Sequence, residues 1–149
     1  MEHTPGRGWV LLVYKVPRDP TAIRAGVWRK VKRMGAILLH DAVWVLPFTA
    51  RTREQFQWLT VEIHELGGDA MLFAAQVLPP GQEEQLVAQF QERVDLAYQA
   101  ILTELERDEA DVVALSRRYQ HTTLLDFFES TIGQRVRQRL LAGKGGDDQ

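Results

Sequence analysis

The spacing of apolar residues divides the first eighty positions into six segments. The continuous apolar stretch 8–17, rich in valine and closed by a proline, predicts a buried strand. Two later stretches repeat apolar residues at helical spacing and end at glycine, which predicts helices over 19–35 and 51–68. Short apolar runs that predict three further strands occupy 36–40, 43–47 and 69–80.

The resulting order, β-α-β-β-α-β, predicts an α+β fold of the ferredoxin-like type. Such a unit has a four-stranded antiparallel sheet with two helices on one face. The first strand is expected at the centre of the sheet because its apolar run is continuous. Asp41 and Ala42 are expected to form the tight turn of a hairpin.

The first predicted helix has one apolar stripe and several cations. Ile23, Val27, Val31 and Met34 fall within one stripe at 100° per residue and are expected to face the sheet. Asp19 or Thr21 is expected to cap the start of this helix, with a proline in its first turn.

The pattern changes after the double proline at 79–80 and becomes purely helical. Apolar residues keep a 3.6-residue period from Leu86 to Leu105, which predicts a long helix. A second helix is expected over about 109–119 and a third, capped by a threonine, from about Leu124 to Ala142. The predicted domains are a ferredoxin-like unit, a helical extension and a disordered tail, which cover 8–80, 81–142 and 143–149.

Composition excludes several kinds of chemistry. The 149 residues include no cysteine, which removes disulfides, thiolate metal sites and cysteine nucleophiles. The four histidines lack metal-ligand spacing, no nucleotide-binding motif occurs, and no carboxylate pair is fixed by spacing. We therefore predict a protein that is not an enzyme, with no catalytic residues, no metal and no cofactor. No apolar run reaches membrane-spanning length and no signal peptide is visible, so we predict a cytoplasmic protein without a membrane partner.

Charge is unevenly distributed along the chain. Residues 1–33 hold eight Lys or Arg against two Asp or Glu, whereas 34–149 hold ten against eighteen. The basic stretch could bind DNA phosphates or a tetrahedral oxyanion, or it could be the solvated face of the first helix. Spacing alone favours the solvated face somewhat. The candidate anion-binding residues are Arg18, Arg24, Arg29, Lys30, Lys32 and Arg33.

Three blocks of sequence resemble the N-terminal domain of the ChrB family of bacterial chromate-resistance regulators. They are "WVLLVYKVPRDPTAIRAGVWRKVKRMGAILLHDAVWVLP", "FQWLTVEIHELGGDAMLF" and "LSRRYQHTTLLDFFESTIGQRVRQRL". The resemblance implies a chromate-responsive transcriptional regulator or sensor that acts as a DNA-binding homodimer. Its implied partners are promoter DNA and chromate or a sulfate-like oxyanion, bound through the basic N-terminal part. Arg117 and Arg118, in the third block, are additional candidate anion contacts.

Two alternatives remain open beside this interpretation. The first is a dimeric interaction module that does not bind DNA and acts with a separate partner resembling the ChrB C-terminal domain. Phe127, Phe128 and Ile132 would then help to form an interface, although packing within the chain is favoured for most of them. The second is a nuclease. The βαββαβ unit is similar to PaaX-type repressor domains and also to small CRISPR-associated nuclease-like proteins, and the latter similarity is the reason for this alternative. Those nucleases use an aspartate at the end of strand 1, where this chain has Lys15, which argues against nuclease activity.

Overall fold

The computed structural model describes residues 8–146, with side chains described through residue 143. The chain divides into two compact units, and the boundary lies between Pro79 and Pro80. We call the first unit 1 and the second unit 2, and each is described by itself.

Unit 1 contains four strands and two helices in the predicted order. Their bounds are β1 Trp9–Lys15, α1 Thr21–Arg33, β2 Ile37–Leu39, β3 Val43–Pro47, α2 Ala50–Glu65 and β4 Asp69–Ala75. The strands form one antiparallel sheet in the order β2-β3-β1-β4, so β1 is central as its apolar run predicted. This arrangement confirms the α+β, ferredoxin-like fold.

One face of the sheet packs against α1. Leu12 of β1 pairs with Trp44 of β3, and both side chains are buried on the face where Trp28 of α1 packs. The opposite face carries Val13 and its β4 partner Met71, which are exposed, and also Trp9 and Val45, which are buried. Strand alternation therefore places the first helix on one defined side of the sheet.

Helix starts in unit 1 differ from the prediction in one case. The N-cap of α1 is Pro20, and it has no side-chain capping bond, so the predicted caps Asp19 and Thr21 are wrong. Helix α2 instead begins with a complete capping box, in which the Thr49 hydroxyl accepts from the Thr52 backbone N–H at 3.0 Å. The N-terminus of α1 therefore depends on backbone geometry rather than on a polar side chain.

The hairpin between β2 and β3 turns one residue earlier than predicted, since the central residues of the turn are His40 and Asp41 rather than Asp41 and Ala42. His40 and Asp41 both have positive φ, at 50° and 66°, as the central residues of a type I′ turn do, and the Ala42 backbone N–H donates to the Leu39 carbonyl at 3.1 Å. Aspartate tolerates this conformation better than most residues. The turn brings the start of β3 back beside β2.

Unit 2 consists of three helices. Their bounds are α3 Pro80–Leu105, α4 Val112–Thr123 and α5 Thr131–Gly146. They enclose an apolar cluster formed mainly by Val94, Tyr98, Ile101, Leu102, Leu115, Val136 and Leu140. The helical period of α3 therefore accounts for its inward face, with Tyr98 buried at its centre.

The last helix begins seven residues later than the sequence predicted. The hydroxyls of Thr122 and Thr123 donate to backbone carbonyls within α4, at 2.8 and 2.7 Å, so neither threonine caps α5. Ser130 does so instead, because its hydroxyl accepts from the backbone N–H of Gly133 at 3.2 Å. The Asp126 carboxylate accepts from the Ser130 backbone N–H at 3.1 Å, which holds the intervening segment as a turn.

Helix α5 extends to Gly146 and so enters the stretch 143–149 that the sequence predicts as a disordered tail. Residues 147–149 lie outside the described residues. Across 8–146, no helix combines the length and apolar character needed to cross a membrane.

Candidate anion-binding cleft

A cleft of about 720 Å³ opens at one end of the unit 1 sheet. Its walls come from three places: the end of β1 with the loop that follows it, the first two turns of α1, and the β2–β3 hairpin. The residues that line it are Tyr14, Lys15, Val16, Arg18, Thr21, Arg24, Ala25, Trp28, Leu38, Asp41, Ala42 and Trp44. Strand β1 is the neighbour of β3 in the sheet, and the end of β1 meets the start of α1 and the hairpin turn at this cleft.

Three cations face this cleft. Lys15 ends β1, Arg18 lies in the loop after it, and Arg24 lies in the first turn of α1. The structure gives none of the three an ion pair with any residue between 8 and 143. Asp41 contributes the one carboxylate of the lining, so the cleft carries a net positive charge that favours an anion.

Aromatic side chains form the floor of the cleft. The rings of Trp28 and Trp44 meet edge to face, with centroids 5.0 Å apart and planes at 79°. Tyr14 is hydrogen-bonded to Trp44, and since an indole N–H can only donate, the tyrosine oxygen accepts. The Tyr14 hydroxyl therefore keeps its own proton to donate.

The pKa of Tyr14 lies above its ordinary value. Burial is the main cause, and it outweighs the opposing effects of the Trp44 hydrogen bond and the Arg24 charge. The phenol is protonated at neutral pH, as a tyrosine with the ordinary pKa of about 10 already is. A protonated Tyr14 adds a neutral hydrogen-bond donor to the three cations of the cleft.

The structure separates the other four predicted cations of this region. Lys32 lies over the ring of Trp28, with its ammonium nitrogen 5.7 Å from the ring centroid, one helical turn beyond the cleft wall. Lys30 forms an ion pair with Glu62 of α2. Arg29 and Arg33 are exposed on the side of α1 that faces away from the core.

The predicted site is therefore divided rather than continuous. Of the six candidates, Arg18 and Arg24 meet in the cleft, Lys32 lies beside it, and the remaining three do not line it. The structure adds Lys15 and Tyr14, which sequence reasoning did not propose. Their position at the end of a central strand next to a basic loop is the signal that could have identified them.

Arg117 and Arg118 lie in unit 2 and line a separate pocket of about 320 Å³ with His121. Arg118 donates to the Glu104 carboxylate at 2.7 Å, so one of the two charges is already paired.

Nearby in the same unit, Phe127 and Phe128 pack edge to face on Phe90, with centroids 5.8 and 6.1 Å away. These two phenylalanines are half-buried by contacts within unit 2.

Among the residues that the structure describes, no group of three or more His, Asp or Glu side chains could hold a metal ion. The cleft itself has one acidic lining residue, Asp41, surrounded by cations. Its donor set suits an anion and not a divalent cation.

Comparison with known proteins identifies the family. A family model described as "Protein ChrB, N-terminal" matches residues 24–112, which is more than half of the chain. The chain belongs to the ChrB N-terminal family. This confirms the family membership that the sequence blocks indicated.

A curated relative within the family is Protein ChrB of Cupriavidus metallidurans strain CH34. It is 27% identical over 122 residues, which covers 78% of this chain and 38% of the relative. The chain therefore spans about two fifths of the length of that ChrB protein. The ChrB family match begins at Arg24, at the cleft, and ends at Val112, where α4 starts.

Proposed function

We propose that this ChrB-family protein is a chromate-responsive regulator of chromate resistance that binds the oxyanion in the cleft of unit 1. The observation that most supports the proposal is the convergence of Lys15, Arg18 and Arg24, from three different segments, on one cleft. Chromate resembles sulfate in shape and charge. Arginine and lysine bind such dianions by charge-assisted hydrogen bonds.

Binding is proposed to be reversible and without electron transfer. The chain has no cysteine and therefore no thiol to reduce a bound chromate. The forked guanidinium groups of Arg18 and Arg24 can each present two parallel N–H donors, and the Tyr14 hydroxyl can supply a neutral one. The cleft is large enough to hold the anion together with water molecules.

DNA binding is the second part of the proposal, and other residues support it. Arg29 and Arg33 are exposed on α1 outside the cleft, so an anion in the cleft would leave both free to contact phosphates. The homodimer and the cytoplasmic location remain predictions. A promoter fragment tested in gel shifts at two salt concentrations would show the steep salt dependence expected of phosphate contacts.

The oxyanion part is tested by replacing Arg24 with alanine. Removing one charged donor from the anion should weaken chromate binding roughly 10- to 100-fold, because a hydrogen bond to a charged group contributes about 1.5–3 kcal/mol. Isothermal titration calorimetry with chromate, and with sulfate as competitor, measures this directly. Arg53→Ala is the matched control, since Arg53 is exposed on α2 and does not line the cleft.

Equal chromate affinity in wild type and Arg24→Ala would contradict the assignment of the cleft. An equal loss in Arg53→Ala would also contradict it, because that result would indicate a general effect of net charge. Circular dichroism of each variant establishes that the fold is kept.

A further inference from the structure

Helix α5 is a cationic element within an acidic unit. Residues 80–130 hold eleven Asp or Glu against four Lys or Arg, whereas 131–146 hold three arginines and one lysine with no acidic residue. The structure gives Arg135, Arg137 and Arg139 no ion pair with any residue that it describes. The positive charge of α5 is therefore not neutralised within the described part of the chain.

One face of α5 is polar from Thr131 to Arg139 and turned away from the unit 2 core. Val136 and Leu140 are buried on the inner side. The opposite stripe, which follows i, i+3, i+4, i+7, i+8 spacing, is exposed and consists of Thr131, Gln134, Arg135, Gln138 and Arg139. We call this stripe the outward face of α5.

The position of α5 is fixed by a polar network at its start. The Tyr98 hydroxyl donates to Asp126 at 2.9 Å, and Asp126 accepts from the Ser130 backbone N–H. The Ser130 hydroxyl donates to Asp95 and accepts from the Gly133 N–H, which caps the helix. A helix anchored in this way can present its outward face without ordering anything else on binding.

We propose that the outward face of α5 contacts the major groove of duplex DNA. From Thr131 to Arg139 the face extends about 12 Å along the helix axis, which corresponds to three or four base steps. In that groove glutamine reads adenine through paired hydrogen bonds, and arginine reads guanine in the same way or contacts the flanking phosphates. The outward face combines these two side chains with positive charge that no acidic residue of the described chain neutralises. Duplex DNA is complementary to it, because DNA has negatively charged phosphates and polar base edges.

Two other polyanions fit less well. Double-stranded RNA has a major groove too narrow for side chains to read, so a helix face of this kind has no matching surface there. A helix at a membrane surface would carry large apolar side chains beside its cations. From Thr131 to Arg139 the outward face has no such residue, and the exposed Leu141, three positions after Gln138, adds a single large apolar side chain at its end.

This inference rests on the DNA-binding part of the proposed function but places the contact outside the basic N-terminal stretch. It also lies beyond the range of the family match, which ends at residue 112. In the experiment, the full chain is titrated into a 30-base-pair duplex of random sequence, and binding is followed by fluorescence anisotropy. The titration is repeated at salt concentrations between about 50 and 200 mM, because phosphate contacts weaken steeply over this range. The key variant is Arg135→Ala/Arg139→Ala, at two exposed positions.

We expect this double variant to bind at least tenfold more weakly and to lower the slope of log affinity against log salt by up to about two. Gln134→Ala/Gln138→Ala should instead relax the sequence preference obtained by selection from a random duplex pool. Arg51→Ala/Arg53→Ala, two exposed arginines on α2, is the control of equal charge and should bind like wild type.

The outcomes separate the two proposals. If Arg29→Ala/Arg33→Ala loses binding and Arg135→Ala/Arg139→Ala does not, the α5 inference fails and DNA binding through α1 stands. If wild type does not bind the duplex at 50 mM salt, the DNA part of the proposed function fails together with this inference. Equal losses in the α5 variant and in the α2 control, or binding of α5 to anionic vesicles in place of duplex, would also overturn it.

Discussion

The two basic helices, α1 and α5, have similar charge but different surroundings. Each contains at least four cations and no acidic residue within its bounds. In α1 the cations are divided among different partners: Arg24 faces a cleft, Lys30 pairs with Glu62, and Lys32 lies over Trp28. In α5 the exposed arginines meet no acidic partner among the described residues.

The difference follows from what packs beside each helix. Helix α1 lies on a sheet, with an aromatic floor near one flank and an ion-pair partner from α2 near another, so each cation meets different surroundings. Helix α5 packs in a three-helix unit whose core takes only its inner side. The comparison indicates that a run of cations identifies a function only after its neighbours are known.

The largest effect is expected from a substitution that displaces α5 and leaves α1 unchanged. A Cβ atom at Gly133 would lie 2.6 Å from the ring of Tyr98, and both residues are buried. We expect Gly133→Ala to destabilise unit 2 by about 1–3 kcal/mol, because a rigid ring must move. Far-UV circular dichroism during denaturation measures the loss.

Tryptophan fluorescence provides the internal comparison, since all four tryptophans lie in unit 1: Trp9, Trp28, Trp44 and Trp58. Their signal reports on unit 1, whereas far-UV circular dichroism reports on both units. Gly143→Ala, in the same helix but with open space at the Cβ position, is the control and should be neutral or stabilising by up to about 1 kcal/mol. Equal stability of Gly133→Ala and Gly143→Ala would refute the close approach.

A smaller effect is expected from Tyr98→Phe, which tests the network that anchors α5. The variant keeps the ring and removes the hydrogen bond to Asp126, so we expect a loss of roughly 1–2 kcal/mol. Chemical denaturation followed by circular dichroism measures it. Tyr119→Phe, at a half-buried tyrosine that has no hydrogen bond to a carboxylate of the described residues, serves for comparison.

The Tyr98→Phe variant should also change how the free energy of unfolding depends on pH. Burial, the hydrogen bond to Asp126 and the nearby negative charges raise the pKa of Tyr98 above its ordinary value of about 10. Above pH 10 the unfolded chain therefore binds fewer protons than the folded one, and the free energy of unfolding falls as pH rises. Wild type should lose stability in this alkaline range, and Tyr98→Phe should lose less. A parallel decline in both would contradict this origin.

The smallest effect is expected from breaking the ion pair between Lys30 of α1 and Glu62 of α2. Lys30 and Glu62 are both partly exposed, so Lys30→Ala should cost no more than about 1 kcal/mol. A double-mutant cycle with Glu62→Ala measures the coupling between them. We also expect chromate affinity to stay unchanged in Lys30→Ala, and a clear decrease would mean that Lys30 belongs to the cleft.

The sequence determined the order of elements in unit 1 and the inward stripe of each helix. Strand and helix periods of the apolar residues are local properties, which is why β1 through β4 and the burial of Val27 and Val31 could be predicted. The turn at Asp41 was predictable for the same reason, because its chemistry depends on adjacent residues.

Tertiary structure alone decided which cations meet and where α5 begins. Lys15, Arg18 and Arg24 converge because a central strand ends beside a hairpin from elsewhere in the chain, and no periodicity encodes that distance. The start of α5 depends on Asp126 and Ser130 contacting side chains of α3, which lie about thirty residues away in sequence. Contacts between distant segments fix these features, so a single run of residues could indicate the charge but not its use.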